Sequence, residues 1–340
     1  MTVEGSAQGD AASDAAEQDA HAADAPATDA PATGICPAGQ SSTFAAQASY
    51  AVGNGAPISV AVGDFNGDGK LDLAAANDGW ARVNVFLNQG GGTFAAQVTY
   101  AAGNDPTFVV AGDFNGDGKP DLALANDNYP NAPSTVSVLL NQGGGTFAAR
   151  VAYPVGNYPE SESVADFNGD GKPDLAVANA ADNTVGVLLN QGGGTFAAQV
   201  TYPVGGGPSS VAVGDFNGDG KPDLAVTIWN DKAVGVLLNQ GGGTFAAQAT
   251  YAAGTQASTV AVGDFDGDGK PDLAVANIGD NTVSVLLNQG GGTFAAQVTY
   301  AVEHSPLGVV VGDVNGDGRP DLAVANSDDS TVSVLLNVCQ

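Results

Sequence analysis

The feature that most constrains this chain is a sequence repeat with a period of about 49 residues. The tetrapeptide Thr-Phe-Ala-Ala begins at residues 43, 93, 146, 195, 244 and 293, and a near-copy of GDFNGDGKPDLAVAN follows each of them at a similar offset. Repeats of this length are typical of solenoids and β-propellers, in which each unit buries its faces against its neighbours. The chain is therefore expected to be built from six similar units.

Each unit contains four short apolar runs, as at 195–205, 209–216, 222–227 and 233–239. Val and Leu recur at every second residue, and Gly, Asn and Asp separate the runs, which predicts four short antiparallel strands. A single such sheet cannot bury both faces, whereas sheets arranged radially can. The pattern predicts an all-β fold, a β-propeller of six four-stranded blades over residues 35–340. A solenoid is less favoured because the nine-residue GGxGxDxUx period of calcium β-rolls is missing.

Residues 1–34 differ from the rest, being rich in Ala, Asp, Pro and Thr with seven acidic residues and no hydrophobic period. This composition predicts a disordered acidic tether. The whole chain has 37 acidic and 9 basic residues and a formal net charge of −28. Such a balance argues against nucleic acid as a partner and against unaided docking to anionic lipid. There is no run of 18 apolar residues that would predict a membrane span.

The loop between the second and third runs of each unit has the form D-x-[ND]-x-D-G-x-x-D. Oxygen donors at positions 1, 3 and 5, a turn-forming Gly at 6 and a backbone carbonyl at 7 suit Ca²⁺, and an Asp stands at position 9. The predicted metal ligands are Asp64, Asn66, Asp68, Lys70, Asp72, Asp113, Asn115, Asp117, Lys119, Asp121, Asp166, Asn168, Asp170, Lys172, Asp174, Asp215, Asn217, Asp219, Lys221, Asp223, Asp264, Asp266, Asp268, Lys270, Asp272, Asp313, Asn315, Asp317, Arg319 and Asp321, the Lys and Arg residues through their carbonyls.

The alternative interpretation of these loops is that Asn-Gly-Asp-Gly is simply a good turn sequence. A turn does not require three or four carboxylates, which repel one another without a cation. The six loops hold 19 of the 37 acidic residues. We therefore expect up to six Ca²⁺ ions, one per repeat, and a fold that depends on them.

At these loops the chain resembles the FG-GAP/VCBS repeat family, whose calcium loops occur in integrin alpha-subunit propellers and in some propeller lectins. The resemblance covers residues 43–337 and is carried by the GGGTF and DFNGDGKPDL strings. It implies a loop that joins the innermost strand of each blade to the second strand, which matches the order of the runs. Propellers of this family often have seven blades, whereas this chain has six units.

The two ends of the repeat region predict how the ring closes. Residues 43–52 have an outer-strand sequence, and the chain ends on a third-strand sequence at 330–337, so the N-terminal segment is expected to complete the last blade. Cys36 and Cys339 flank this seam, and we expect a disulfide between them in place of the missing hairpin; two unrelated thiols are the alternative. A disulfide implies an oxidising compartment, so the expected location is extracellular or tethered at the cell surface. The first residues lack the apolar core of a signal peptide.

The six units differ mainly at the rim opposite the acidic loops. Exposed aromatic residues beside Asn and Asp suit sugar recognition, whereas drift in tolerant loops would produce the same variation. Glu160 and Glu162 are acidic residues at the start of one inner strand, and Glu162 replaces the Val found in other units. The candidate ligand-binding residues on this rim are Trp80, Tyr129, Tyr158, Trp229 and His304.

No Ser-His-Asp, HExxH or Cys-His pattern indicates catalysis. The sequence therefore predicts a non-enzymatic, monomeric ring that binds a glycan or an extracellular protein through the variable rim. A matrix scaffold with calcium-dependent assembly is the second hypothesis. A carbohydrate-active enzyme that uses Glu160 and Glu162 is a third.

Overall fold

The computed structural model describes residues 48–53, 56–127 and 133–338. Their regular structure is all β apart from one 3₁₀ turn, Ile278–Asp280. The strands form six sheets of three or four strands, which follow one another along the chain as a six-bladed β-propeller, and five two-stranded hairpins. The predicted fold class is confirmed.

The innermost strand of each blade begins with a register irregularity, a β-bulge that leaves one residue unpaired in blades 1–4 and 6 and two in blade 5. Inner strands of successive blades lie beside one another from blade 1 to blade 6. These strands are β1 (Ala56–Gly63), β7 (Pro106–Gly112), β13 (Pro159–Ala165), β19 (Pro208–Gly214), β25 (Ala257–Gly263) and β31 (Pro306–Gly312).

The second strand of each blade is sandwiched between neighbouring blades, so both of its faces are apolar and buried in blades 2–5. This explains its continuous Asp-Leu-Ala-Val-Ala-Asn sequence. The second strands are β2 (Asp72–Asp78), β8 (Asp121–Asn126), β14 (Asp174–Asn179), β20 (Asp223–Ile228), β26 (Asp272–Asn277) and β32 (Asp321–Asn326).

The third strand pairs antiparallel with the second and continues into the last part of the blade. Its Val and Leu residues are buried in the first five blades, except Val285, which is partly buried. The third strands are β3 (Arg82–Phe86), β9 (Thr135–Leu139), β15 (Thr184–Leu188), β21 (Ala233–Leu237), β27 (Thr282–Leu286) and β33 (Thr331–Leu335).

A short two-stranded hairpin with a Gly-Gly-Gly turn connects the third strand to the outer strand in blades 1–5. The glycines of this turn have positive φ, which L side chains adopt at a cost. The hairpins and outer strands are β4 (Asn88–Gly90), β5 (Thr93–Phe94) and β6 (Val98–Ala101); β10 (Asn141–Gly143), β11 (Thr146–Phe147) and β12 (Val151–Pro154); β16 (Asn190–Gly192), β17 (Thr195–Phe196) and β18 (Val200–Pro203); β22 (Asn239–Gly241), β23 (Thr244–Phe245) and β24 (Ala249–Ala252); β28 (Asn288–Gly290), β29 (Thr293–Phe294) and β30 (Val298–Ala301).

The core consists of apolar layers between adjacent blades. Between blades 1 and 2, for example, Phe65 and Val85 pack with Val109, Leu122 and Phe147. Four further layers of the same kind join the remaining pairs of successive blades. Blades 2–5 are therefore each stabilised by two neighbours, as expected for a repeat that cannot bury its own faces.

Within the described residues, the N-terminal segment does not pair with the last blade as the sequence predicted. The sixth sheet has three strands, β31–β32–β33, within the described residues. Residues 48–53 pair with no strand in the described chain; Tyr50 instead packs on Phe86 and Phe94 of blade 1. Val332 and Val334 of β33 are 67% and 53% accessible, whereas their counterparts in blade 1, Val83 and Val85, are buried in the apolar layer against blade 2.

Several predictions concern parts of the chain outside the described residues. They are the tether at 1–34, Tyr129, and the proposed disulfide partners Cys36 and Cys339. The tether and the disulfide stay predictions. Among the described residues, no helix is long and apolar enough to cross a membrane.

Candidate functional site

The acidic loops and the Gly-Gly-Gly hairpins lie together on one rim, which we call the loop rim. Each loop joins the inner strand to the second strand, as the resemblance implied. The hairpin of one blade contacts the loop of the blade before it: the amide of Gly145 and the side-chain amide of Asn141 both donate to the carbonyl of Phe65, at 3.0 Å. The same pair of bonds recurs at the loops of blades 2–4, and the loop of blade 5 has the side-chain bond, so the loops of blades 1–5 are each part of a junction between two blades.

Within each loop, the carboxylate at position 1 organises the turn. Asp64 Oδ1 accepts hydrogen bonds from the amides of Gly67 and Asp68, and its Oδ2 accepts one from Gly69. Gly67 and Gly69 have φ of +78° and +80°, a conformation that favours glycine, which explains the Asn-Gly-Asp-Gly sequence. The same bonds recur in the other five loops.

The carboxylate at position 9 is buried and bonds to the backbone on both sides. Asp223 Oδ2 accepts from the amide of Phe216 at 2.9 Å, and its Oδ1 accepts from the amide of Asn239 at 2.6 Å. The first bond holds the loop and the second holds the start of the hairpin. The equivalent residues are Asp72, Asp121, Asp174, Asp272 and Asp321.

Burial raises the pKa of the position-9 carboxyl groups in blades 1–5. The pKa is raised to about 6 for Asp121, Asp174, Asp223 and Asp272, while the two amide donors act in the opposite direction. Desolvation therefore outweighs two charge-assisted hydrogen bonds at these positions. The sequence did not indicate this structural role, because spacing alone gives no information on burial.

The donor set of the loops fits a hard cation. In the loop of blade 5, carboxylate oxygens of Asp264, Asp266 and Asp268 lie within 4.8 Å of one another. In the other loops the middle residue is Asn, which also offers an oxygen. Oxygen atoms at positions 1, 3 and 5 are the ligands that Ca²⁺ prefers. Asp272, at position 9, is not a member of the converging group; as metal ligands all of these residues stay predictions.

A cationic side chain neutralises the position-5 carboxylate in every loop. Lys70 Nζ lies 2.8 Å from Asp68 Oδ2, and the equivalent residues pair in the other loops. The hydrogen bond from Lys70 is the largest effect that lowers the pKa of Asp68. These pairs are exposed, so they contribute little to stability. They offset part of the repulsion among the clustered carboxylates.

The opposite rim carries the turns between the second and third strands and the connections from outer to inner strands; we call it the variable rim. Trp80 and Trp229 lie in turns of blades 1 and 4, the former 46% exposed and the latter half-buried. Tyr158 and His304 lie in outer-to-inner connections, and both are exposed. All the described candidate ligand residues are therefore on this rim, as the sequence predicted.

Three acidic residues from three blades act on Tyr158. Its pKa is raised by the charge of Glu160 first, then by burial and by Asp127 and Asp78. Glu160 is the unpaired residue of the bulge that opens β13. Its own pKa is raised by burial and by the Asp127 charge. Blades 1–3 thus contribute to one acidic, aromatic patch; the participation of Asp78 and Asp127 was not predicted from sequence.

A second set of residues missed from sequence fixes the connections of the variable rim. Asp329 accepts a hydrogen bond from the amide of His304 at 2.7 Å and also contacts its imidazole at 2.7 Å, which raises the histidine pKa. Glu303 also lies close to this pair. The regular 49-residue spacing of the equivalent aspartates could have identified them: Asp182, Asp231 and Asp280 accept from Asn157, Gly206 and Thr255.

Glu162 lies inside the fold between the two rims. It is fully buried, and neither carboxylate oxygen has a hydrogen-bond partner among the described residues. Burial raises its pKa well above the usual value. By strand register it replaces a valine of the apolar layers between blades, the counterparts being Val109, Val211, Val260 and Val309.

Fold and loops together define a repeat β-propeller with one acidic loop at each inner-to-second strand connection. The family model described as FG-GAP-like repeat matches residues 64–124, 113–177, 166–226, 223–275 and 264–324. The chain belongs to the FG-GAP-like repeat family. No curated protein sequence matches it significantly.

Solved propellers resemble this chain in fold at low sequence identity. The periplasmic gluconolactonase PpgL of Pseudomonas aeruginosa is 19% identical, with a TM-score of 0.59 over 83% of this chain and 85% of that one. A streptogramin B lyase is 14% identical, with a TM-score of 0.52 over 84% of each chain. BBS1N, in complex with ARL6DN, is 16% identical, with a TM-score of 0.57 over 82% of this chain and 78% of that one.

These structures correct the prediction that the chain is not an enzyme. A lactonase and a lyase have the same fold, so the missing triad, HExxH and Cys-His patterns do not exclude an enzyme. A missing motif excludes only the chemistry that the motif carries. At these identities the likeness concerns the fold alone.

Proposed function

We propose that this propeller is a calcium-stabilised binding module that acts outside the cell or at its surface. The observation that carries this proposal is the difference in sequence variation and in contacts between its two rims. The loop rim is nearly identical in every blade and joins blades to one another. The variable rim differs in every blade and presents aromatic side chains to solvent.

Calcium at the loop rim would stabilise the ring. The oxygens at positions 1, 3 and 5 of each loop would hold the ion, which would supply positive charge among clustered carboxylates. The position-9 aspartate would fix the loop against the following hairpin through its two backbone bonds. Because the loop also contacts the hairpin of the next blade, binding would restrict motion between blades.

Recognition would occur on the variable rim, with a glycan or an extracellular protein as the ligand. Trp80 and Tyr158 each expose nearly half of their surface beside Asp and Asn, which provides an apolar face with adjacent hydrogen-bonding groups. The acidic patch formed by Asp78, Asp127 and Glu160 favours a ligand with hydroxyl or cationic groups over an anionic one. The BBS1N complex is an instance of this fold with a protein partner.

A glycan array, probed with the full chain in millimolar calcium and again in excess EGTA, tests this proposal. We expect binding that requires calcium and that is lost in Trp80→Ala and Trp229→Ala. Asp105→Ala, at a rim position of blade 2, is a control that should retain binding. Absence of glycan binding together with calcium-dependent self-association would instead support a matrix scaffold.

A second candidate function is catalysis at the acidic patch, which a specific observation favours. Glu160 has a raised pKa, lies at a bulge and is close enough to Tyr158 and Asp127 to interact electrostatically with both. A carboxyl group that keeps its proton at higher pH can act as a general acid. Bulges that re-aim a side chain are frequent beside active sites.

A panel of sugar lactones and glycosides would test this second candidate. Turnover is expected to depend on protonated Glu160, so the rate should fall as pH rises through its raised pKa. Glu160→Gln should abolish turnover without changing the melting temperature. Glu303→Gln, on the same rim in blade 6, is the matched control. No turnover by the wild-type protein on any member of the panel would rule out these reactions.

A further inference from the structure

Three side chains with metal-ligating atoms lie together on the variable rim, where the chain enters blade 6. The ligand atoms offered by Glu303, His304 and Asp329 all lie within 4.8 Å of one another, and the three residues are exposed. Glu303 and His304 belong to the connection from β30 to β31, and Asp329 belongs to the turn between β32 and β33. This cluster is separate from the acidic loops, which lie on the other rim.

Glu303 departs from the repeat at a position where the other connections have no side chain. Its counterparts in the connections into blades 2–5 are Gly103, Gly156, Gly205 and Gly254. A β-carbon added at Gly205 would lie 2.3 Å from Oδ2 of Asp231, the counterpart of Asp329. Since real β-carbons do not approach other atoms so closely, a side chain at this position displaces its neighbours. Blade 6 accepts that cost, and a second carboxylate lies beside Asp329 as a result.

A buried oxygen next to this position has no donor. In blades 2 and 5 the amide of the glycine donates to the side-chain oxygen of an asparagine at the end of the second strand, as Gly254 does to Asn277 at 2.9 Å. The corresponding Asn326 in blade 6 is 2% exposed, and its Oδ1 has no hydrogen-bond partner among the described residues. The cluster therefore borders an acceptor that a donor group, such as a metal-bound water, can satisfy.

The backbone positions His304 and Asp329 independently of any ion. The amide of His304 donates to Asp329 Oδ2 at 2.7 Å, and the imidazole Nδ1 lies 2.7 Å from the same oxygen. The amide of the next residue, Ser305, donates to Asn281 at 3.0 Å. The side chain of His304 is 65% exposed, so it can rotate toward an ion without a change in the backbone. Hydrogen bonds that hold a ligating carboxylate in place are typical of metal sites.

The donor set selects the metal. One imidazole nitrogen with two carboxylate oxygens suits Zn²⁺, which binds such atoms at about 2.0–2.2 Å and so holds them about 3.3–3.6 Å apart. Ca²⁺ takes about six to eight oxygen ligands, so this cluster is not a further calcium loop. The charge of an ion also offsets the repulsion between Glu303 and Asp329.

We propose that Glu303, His304 and Asp329 bind one Zn²⁺ ion per chain. Three protein ligands leave one position of a tetrahedral ion open to water or to a ligand of the variable rim. The ion then joins the connection and the turn of blade 6, in addition to the hydrogen bonds between them. This site is three blades further along the chain than the acidic patch around Tyr158, so the proposal depends neither on glycan binding nor on catalysis.

Zinc titration calorimetry of the full-length chain tests the proposal. Millimolar calcium is present throughout to occupy the acidic loops, and free thiols are alkylated to remove cysteine ligands. We expect one Zn²⁺ per chain at this site. His304→Ala should raise its dissociation constant about 100-fold, since loss of a group that only hydrogen-bonds to a ligand already costs about 10–100-fold. His21→Ala, at the other histidine of the chain, should bind as wild type does. No zinc binding, or equal binding by wild type and His304→Ala, would overturn the proposal.

Glu303→Gly separates a zinc ligand from a structural role, because it restores the glycine of blades 2–5. In calcium without zinc, this variant should melt at the same temperature as wild type or at a higher one. Its zinc affinity should nevertheless fall by at least about tenfold. Added zinc should therefore raise the melting temperature of wild type but not that of the variant. Zinc affinity equal to wild type in Glu303→Gly would refute the three-ligand site.

Discussion

The two rims of this propeller arise from the same repeat yet differ in almost every physical respect. On the loop rim, each blade has the same carboxylates, the same glycines with positive φ and the same backbone hydrogen bonds. On the variable rim, an aspartate recurs that fixes the connections into blades 3–6, and the neighbouring side chains change from Trp80 to Tyr158 to His304.

The difference reflects what each rim has to contact. A residue on the loop rim contacts both its own blade and the hairpin of the next, so a change there disturbs two blades. A residue on the variable rim is fixed by one aspartate, and its side chain projects into solvent. The first arrangement restricts sequence variation, and the second permits it.

The largest expected effect concerns calcium at the loop rim. If free calcium is tenfold above Kd, each site contributes roughly 1.4 kcal/mol, and six independent sites contribute about 8 kcal/mol to the free energy of unfolding. Thermal melting in millimolar calcium and in excess EGTA measures this. Trp80→Ala, on the other rim, should retain the full calcium response. Identical melting curves in the two buffers would contradict a calcium-dependent loop rim.

The next effect concerns the buried aspartate at position 9. Asp223→Asn replaces one acceptor oxygen with an NH₂ group that faces the amide of Phe216 or Asn239, leaving a buried donor unpaired. The expected loss is about 1–3 kcal/mol of unfolding free energy. Chemical denaturation in EGTA measures it without any metal contribution. Asp219→Asn, at exposed position 5, should cost much less there; equal losses would refute the distinction between the two positions.

Glu162 lies in the core between the two rims, at a position where the inner strands of the other blades have valine. Glu162→Val should raise the unfolding free energy at neutral pH by about 1–3 kcal/mol, since it removes a buried polar group without partners. The reverse change in blade 4, Val211→Glu, should destabilise the protein. If Glu162→Val is less stable than wild type, Glu162 has a partner or function that its surroundings do not indicate.

The same residue predicts a pH dependence. Because burial raises the pKa of Glu162, the folded protein keeps the proton where the unfolded chain, with a pKa near 4.5, releases it. Stability from this residue is therefore greatest below pH 4.5 and falls as pH rises toward the folded-state pKa. Denaturation from pH 4 to 8 should show a smaller decrease in Glu162→Val than in wild type; parallel curves would contradict the raised pKa.

The smallest effect on stability is expected on the variable rim. Tyr158 has a φ of +58°, and its counterpart in blade 4 is Gly207 with a φ of +67°. Tyr158→Gly removes an exposed side chain and also relieves left-handed backbone strain, so stability should change by no more than about 0.5 kcal/mol. Ligand binding should nevertheless be lost. A large loss of stability would show that this rim also supports the ring.

Much of the fold could be predicted from the sequence because the same pattern of strands and acidic loops occurs six times along the chain. The alternation of Val and Leu indicated strands, and six copies indicated six blades. The acidic loops were located at the correct strand connection, and Trp80, Tyr158, Trp229 and His304 were placed on the correct rim. These successes depend on local periodicity and chain order, which a sequence displays directly.

The prediction failed where the outcome depends on contacts between distant residues or on the chemistry of a site. Asp78, Asp127 and Glu160 come together around Tyr158 only because three blades converge there. The exclusion of catalysis rested on missing motifs, and a missing motif excludes only the chemistry that the motif carries.

The fold, the number of blades and the position of the acidic loops each follow from a pattern repeated along the chain, so the sequence was sufficient to predict them. Only the tertiary structure assigned different roles to chemically identical carboxylates. Asp219 remains at the surface beside Lys221, while Asp223, four residues later, is buried between two backbone amides. Burial and desolvation are properties of the packed blades, and they separate groups that the repeat presents as equivalent.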